Sequence, residues 1–385
     1  MTARTAARCR GNPWQQARRI LGVRLDSIGD VLMTTPALRA LRGGAPHREI
    51  TLLTSEAGAS VAALVPEVDC IIPYAAPWLK GAAPCPDGKS DLAMVDQLRA
   101  RQFDAAVIFT VYSQSPLPSA LLVYLADIPL RLAHCRENPY QLLTDWIPES
   151  EPEKLIRHEV KRQLDLVAAA GFETRNRRLS LRVPAAARKR LTALLAAEGL
   201  AGQPWVLIHP GATALSRRYP GEHYARVAQR FMFDYGLPVV FAGGETEREL
   251  VDEIRTIALV PTYSFAGKLS LAETAALIAQ APILIANNSG PAHIAAAVGT
   301  PVVDLYALTN PQHTPWAVPN RVLNHDVPCK FCYKSICPQG HHNCLRLVEP
   351  ETVVAATLSL LEETGRLPAQ MPILPRPVAA KTGLA

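Results

Sequence analysis

Twice along this chain, short runs of β-branched and apolar residues alternate with longer segments of helical pattern, and this alternation restricts the fold more than any other feature. Consecutive parallel strands must be joined by a crossover, usually a helix, so repeated units of this kind build a parallel sheet with helices on its faces. The first train places strands at 21–24, 50–54, 70–73, 105–109 and 130–134. The second places them at 205–208, 238–242, 263–266, 282–286 and 301–305. Between the trains, T-R-N-R-R-L-S-L-R-V-P ends at Pro184, polar at first and then alternating, and reads as a link followed by a helix over 185–198. The predicted fold class is α/β, with two Rossmann-like domains over 19–180 and 181–350.

Within the first train, I-L-G-V-R-L-D-S-I-G-D runs from an apolar strand into a turn and then a helix, which brings Asp30 to the mouth of an α/β crevice. Open α/β sheets bind ligands beyond the carboxyl ends of their strands, so a carboxylate there is placed for chemistry. The same residue also suits a plain helix cap. Pro36 lacks the N–H a helix interior needs, so Thr35-Pro36 is read as the start of the main first helix, leaving Gly29-Asp30 in the turn before it. The D-S-I-G-D turn has no G-x-G-x-x-G, which disfavours a Rossmann dehydrogenase.

The second train holds the denser motifs. In H-P-G-A-T-A-L-S-R-R-Y-P, Gly211 admits close backbone approach, and Arg217 and Arg218 offer charge to phosphate oxygens. Gly243-Gly244 ends the next strand as a pocket edge or a tight turn. In A-N-N-S-G-P-A-H-I-A-A-A-V-G-T-P, a strand end leads to Ser289 at a helix cap, then Gly290 and Pro291 in the first turn. Such a helix start aims bare N–H groups at the crevice and binds phosphate without a metal. His293 fits either a ligand contact or a packed core imidazole. The chain contains no Asp-x-Asp, a common grip for a divalent ion on a nucleotide sugar, so the charge of a diphosphate falls to protein groups.

At 385 residues and 49% hydrophobic, the chain can bury a large core and favours two domains. The net charge of +6 is spread thinly, with no Lys/Arg block to mark a nucleic-acid groove. It suits a nucleotide diphosphate or the acidic face of a membrane. No apolar run approaches the roughly 20 residues that span a bilayer. Residues 1–18, with Arg4, Arg8, Arg10 and Arg18 and no acid, read as a disordered basic extension, and 366–385 as a disordered tail. Of eight cysteines, Cys329, Cys332, Cys337 and Cys344 crowd together with His341 and His342. Their spacing is compatible with a structural zinc site, but reduced thiols in a reducing compartment are the preferred reading.

Taken in order from about Ile20 to Leu361, R-L-D-S-I-G-D-V-L-M-T-T-P-A-L-R-A-L, H-P-G-A-T with S-R-R-Y-P, F-A-G-K-L-S-L-A-E-T-A-A-L-I-A-Q-A and N-N-S-G-P-A-H-I-A-A-A-V-G-T-P resemble glycosyltransferase family 9, the ADP-heptose:lipopolysaccharide heptosyltransferases. The resemblance implies a GT-B fold, two Rossmann-like domains facing across a cleft, with the acceptor on the first, the donor mainly on the second, and a last helix over 351–365 crossing back to the first. It implies inverting, metal-independent transfer from an ADP-sugar to a lipid-linked oligosaccharide at the cytoplasmic face of the inner membrane, with no cofactor. Asp30 falls on the family's catalytic base, and Thr213, Arg217, Asn288, Ser289, Gly290 and His293 on its donor side, with Glu222 and Glu245 as lesser candidates. Arg217 stands where the family usually has lysine, Asn288 where it usually has aspartate, and Tyr306-Ala-Leu-Thr-Asn-Pro311 lacks the usual glycine. The rival readings are a nucleotide-sugar epimerase or hydrolase of the same fold, and a catalytically silent binding protein.

Overall fold

The computed structural model describes residues 12–44, 47–79 and 87–367. Its first half holds β1 (Arg19–Arg24), β2 (Glu49–Thr54), β3 (Cys70–Pro73), β4 (Ala105–Ile108), β5 (Leu130–Cys135) and β6 (Asp145–Pro148). Its second half holds β7 (Val206–His209), β8 (Val239–Phe241), β9 (Tyr263–Ser264), β10 (Leu284–Asn287), β11 (Val302–Leu305) and β12 (Asn320–Leu323). These form two six-stranded parallel sheets, ordered β3-β2-β1-β4-β5-β6 and β12-β11-β10-β7-β8-β9. The strand order reverses between β1 and β4 and again between β7 and β10. At such switch points the neighbouring connections leave in opposite directions and open a crevice. The sequence pattern missed β6 and β12, short edge strands that lack the apolar run of a central strand, β6 being mostly exposed and β12 only partly covered.

Two helices bring the crevices face to face. The helix Ile28–Gly43 follows β1, and the helix Gly290–Val298 follows β10. Val31, Leu32 and Met33 of the first share one core with Ala292, Ile294 and Ala295 of the second. The contact is close at Gly29, where a Cβ would lie 2.6 Å from His293 Cδ2, so a side chain there would displace the His293 ring or the helix that carries it.

Three expectations are corrected. Pro36 lies inside the Ile28–Gly43 helix instead of starting it, and Asp30 is in the first helical turn. The carbonyl that a Pro36 N–H would have bonded, that of Leu32, instead accepts from Thr35 Oγ1 at 2.7 Å, which removes much of the penalty for an internal proline. The extension assigned to 1–18 is ordered from Asn12: Trp14 is buried in the first half's core, and its Nε1 donates to Asp145 Oδ2 at 3.0 Å. Residues 1–11 and 368–385, which hold the rest of the extension and the tail, lie outside the described residues. The C-terminal helix, Pro350–Glu363, does not cross back. Its apolar stripe of Val353, Val354, Leu360 and Leu361 fills the second half's core beside Phe231 and Leu305, and Arg321 ties Glu363 to β12.

Candidate active site

Both switch points open into one cavity of about 860 Å³. From the first half it is lined by Asp26, Ser27, Gly29, Asp30 and Gln114, and from the second by Arg217, Asn288, Ser289, Gly290, His293, Thr309 and His313, with Tyr333, Lys334 and Ser335 at its rim.

β1 ends in Arg24, whose side chain is wholly buried. Its guanidinium lies 3.1 Å from Asp26, donates to Asp30 Oδ1 at 2.9 Å and donates to Glu159 Oε1 at 2.8 Å. Burial alone would weaken the Arg24 charge, but Asp26, Glu159 and Asp30 more than restore it. Asp30 Oδ2 accepts from the Ser27 backbone N–H at 3.1 Å and from Ser27 Oγ at 2.7 Å, closing the helix start upon itself. Burial pushes the Asp30 carboxyl up, yet Arg24, His313 and the Ser27 bonds override it and hold the group well below the usual carboxylate range. Asp26 is pushed the other way, by burial and then by Asp30, with Arg24 and Gln114 opposing. The two readings of Asp30 therefore hold together. It braces the helix through one oxygen and stands ionised at the cavity wall through the other.

Across the cavity, Ser289 precedes the Gly290–Val298 helix but does not cap it with its side chain. Its hydroxyl donates instead to Asn287 O at 3.2 Å and Gly211 O at 3.4 Å, which leaves the start of the helix facing the cavity without a side-chain cap. Asn287 is structural: its Oδ1 accepts from Tyr219 N and Tyr224 OH, each at 3.0 Å, and its Nδ2 donates to Pro210 O at 2.6 Å. That bracing aims Asn288 at the cavity. Arg217 lines the same wall, while Arg218 is turned away to donate to Ala212 O at 2.8 Å. His293 is buried and neutral: burial, then the charge of a protonated His313, pulls it down to about 3, with Asp30 opposing.

The structure thus gathers Asp30, Arg217, Asn288, Ser289, Gly290 and His293 on one cavity. It does not bring in three others. Thr213 faces solvent, Glu222 is exposed at the start of the Gly221–Tyr235 helix, and Glu245 pairs with Arg248 at 2.8 Å on another surface. Sequence reasoning missed Arg24, Glu159, Thr309, His313 and Lys334. The signals on offer were the place of Arg24 just ahead of the D-S-I-G-D turn that Asp26 opens, and the departure of Tyr306-Ala-Leu-Thr-Asn-Pro311, which holds Thr309, from the family pattern.

Cys329, Cys332, Cys337 and Cys344 are free, half-buried thiols, and Cys329 Sγ lies 3.8 Å from His341 Nε2. Among the described residues, no group of three His, Cys, Asp or Glu side chains is arranged to hold a metal ion. The segment that carries these cysteines also delivers the rim: Ser216 Oγ donates to Lys334 O at 2.7 Å, and the Tyr333 hydroxyl meets that of Tyr112 from the first half. No described helix is long and apolar enough to cross a membrane.

The comparisons with known proteins agree with this geometry. The family model described as glycosyltransferase family 9 (heptosyltransferase) matches residues 92–342, more than half of the chain. Lipopolysaccharide heptosyltransferase 2 of Salmonella typhimurium is 26% identical over 354 residues, 88% of this chain and 97% of that protein. The lipooligosaccharide heptosyltransferase 2 of Campylobacter jejuni is 29% identical over 163 residues, a match that spans 41% of this chain and about half, 51%, of that relative's length. The solved structure of the ADP-heptose lipopolysaccharide heptosyltransferase II of E. coli superimposes with a TM-score of 0.70 at 25% identity, covering 90% of this chain and 99% of that one. With two facing parallel sheets, a cavity at both switch points and a family match across that cavity, the chain belongs to glycosyltransferase family 9.

Proposed function

We propose that this protein transfers a heptose from ADP-heptose to the inner core of a lipopolysaccharide, with inversion at the anomeric carbon and without a metal ion. The observation that carries the reading is Asp30, held ionised by Arg24 at the cavity wall opposite an uncapped helix start. The acceptor hydroxyl attacks the anomeric carbon, its O–H proton passes to Asp30, and the bond to the diphosphate breaks with its electron pair leaving on ADP. Arg217, Lys334 and the start of the Gly290–Val298 helix line the cavity where that charge would sit. A carboxylate with so little proton affinity is unprotonated throughout the physiological range, and the acceptor oxygen becomes acidic enough to release its proton only as the new bond forms.

The acceptor would be the lipid-linked core oligosaccharide, approached at the inner face of the inner membrane. Names of the relatives supply the sugar and the acceptor class, and the retained base and cavity support activity over a silent binding role.

The test is a transfer assay with ADP-heptose and a heptose-deficient core acceptor, read by mass spectrometry and by anomeric NMR, with and without chelator. Wild type is expected to add one heptose of inverted configuration at a rate that chelator leaves unchanged. Asp30→Asn is expected to lower kcat by about 10²–10⁴-fold. Wild-type hydrolysis of the donor without an acceptor product would sink transfer, and full activity in Asp30→Asn would remove the assigned base.

A further inference from the structure

Asn288, Thr309 and His313 stand together on the second-half wall, 1, 4 and 8% exposed. Each carries one buried polar atom with no hydrogen-bond partner: Asn288 Nδ2, Thr309 Oγ1 and His313 Nε2. Buried groups left unpaired are costly, and native proteins retain few of them without a use. Thr309 and His313 come from the connection after β11, whose backbone is pinned from several sides. Tyr333 N–H donates to Thr309 O at 2.9 Å, His313 N–H to the Tyr306 hydroxyl at 3.1 Å, and Gln312 N–H to Asn310 Oδ1 at 2.8 Å. The main chain is held at these points, while Thr309 Oγ1 and His313 Nε2 bond to no protein atom.

We propose that Thr309 and His313, beside Asn288, read the hydroxyl groups of the donor's sugar and set which sugar is accepted. This rests on the reading of the cavity as a nucleotide-sugar site. The chemistry of the wall selects the ligand. A diphosphate offers acceptors only and calls for a cation, which the cavity supplies at Arg217. A purine ring calls for flat apolar faces. A row of uncharged tips that mixes an amide donor, a hydroxyl and an imidazole matches vicinal hydroxyls, each of which both gives and accepts. His313 remains uncharged for this work: burial draws it down to about 4, with Arg217, Arg24 and His158 adding to burial and Asp30 opposing. The wall also lies within reach of the Asp30 charge, where the anomeric carbon has to sit.

The deciding measurement is the affinity ratio of ADP-heptose to ADP alone, by titration calorimetry on the full chain, for wild type, Thr309→Val, Thr309→Ser and His313→Gln. Wild type is expected to favour ADP-heptose, and Thr309→Val and His313→Gln to lose about 10-fold or more of that preference while ADP affinity stays within about twofold. Thr309→Ser, which keeps the hydroxyl, is expected to retain it. In the transfer assay, Thr309→Val is expected to lower kcat/KM for ADP-heptose and to show no such loss with an analogue that lacks the hydroxyl it reads. A ratio unchanged by these variants, a ratio of one in wild type, or an equal loss of ADP and ADP-heptose affinity would overturn the proposal. A preference that is present in wild type, lost in the variants and unaccompanied by transfer would uphold the subsite and sink heptosyl transfer instead.

Discussion

On the first-half wall of the cleft, Arg24 is ringed by Asp26, Asp30 and Glu159, and the charged groups at the surface already have partners. On the second-half wall the groups are mostly uncharged and unengaged. Of the cavity-lining residues with an unpartnered buried polar atom, Asn288, His293, Thr309 and His313 belong to the second half and Thr110 to the first, among the described residues, while behind the first wall Arg24 Nε makes only an ion-pair contact and Glu159 Oε2 has no hydrogen-bond partner. The contrast separates two jobs. If Asp30 is the base proposed above, it must be in its reactive ionisation state before substrate arrives, so its electrostatics are settled within the protein. A wall that recognises a polar ligand has to leave its hydrogen bonds unmade until the ligand makes them.

The settled wall should be the more fragile under substitution. Arg24→Met keeps an apolar stem of similar length but strands three carboxylates around it. Breaking a buried charge network by removing one partner costs roughly 3–5 kcal/mol. Chemical denaturation should show a loss of that size, and the pH dependence of kcat should move toward neutrality as Asp30 regains an ordinary proton affinity. A loss below about 1 kcal/mol would mean that Arg24 does not hold the wall together.

The second wall should be the more sensitive to acid. His293 and His313 are drawn down to about 3 and about 4, whereas a free imidazole titrates near 6.5. With the folded values depressed, the unfolded chain takes up protons first. Their stabilising contribution is complete above about pH 6.5 and is lost as pH falls toward 4, by up to roughly 1.4 kcal/mol per pH unit for each group. Asp30 behaves differently: its depressed folded value gives stability that is present above the ordinary carboxylate range and lost progressively as pH falls from that range to the lowered value. Its loss begins only below about pH 5, where the unfolded carboxyl starts to protonate, so it adds little between about pH 6.5 and 5. His134, also drawn down to about 4 by burial, adds to the wild-type slope, so the informative quantity is a difference. Unfolding free energies measured from pH 7 to 4.5 should fall less steeply in His313→Gln than in wild type, and identical slopes would show that His313 does not enter the folded wall neutral.

What could be read from the sequence follows from the range of each interaction. The central strands and their switch points were legible because an apolar run and the turn that ends it are local. So was the helix start at Ser289-Gly290-Pro291, whose meaning lies in consecutive residues. Arg24 was not, because its partner Glu159 lies 135 positions away and meets it only when the helix Glu159–Ala169 packs back on the first half. Thr309 and His313 sit in an irregular connection with no periodicity, and their importance comes from atoms that bond to nothing. The cysteine segment drew attention for its thiols, while its geometric contribution is to bring Tyr333 and Lys334 to the rim.

Pro36 was misread because the rule against internal prolines concerns a missing donor, and here another atom supplies one. Thr35 Oγ1 donates to Leu32 O at 2.7 Å and also accepts from the Ser180 backbone N–H at 3.0 Å, so a single hydroxyl closes the gap in the helix and fastens the link between the halves to it. Thr35→Val keeps the shape and removes both bonds, leaving a buried carbonyl and an N–H without partners. The expected cost is about 1–2 kcal/mol by denaturation, with Thr35→Ser close to wild type. Because Asp30 is held by Arg24 and Ser27 and not by Thr35, kcat of the folded Thr35→Val variant should remain within about twofold of wild type while its stability falls. A large fall in kcat at unchanged stability would mean that the base is positioned through the helix interior, and that the first wall is less self-contained than its hydrogen bonds show.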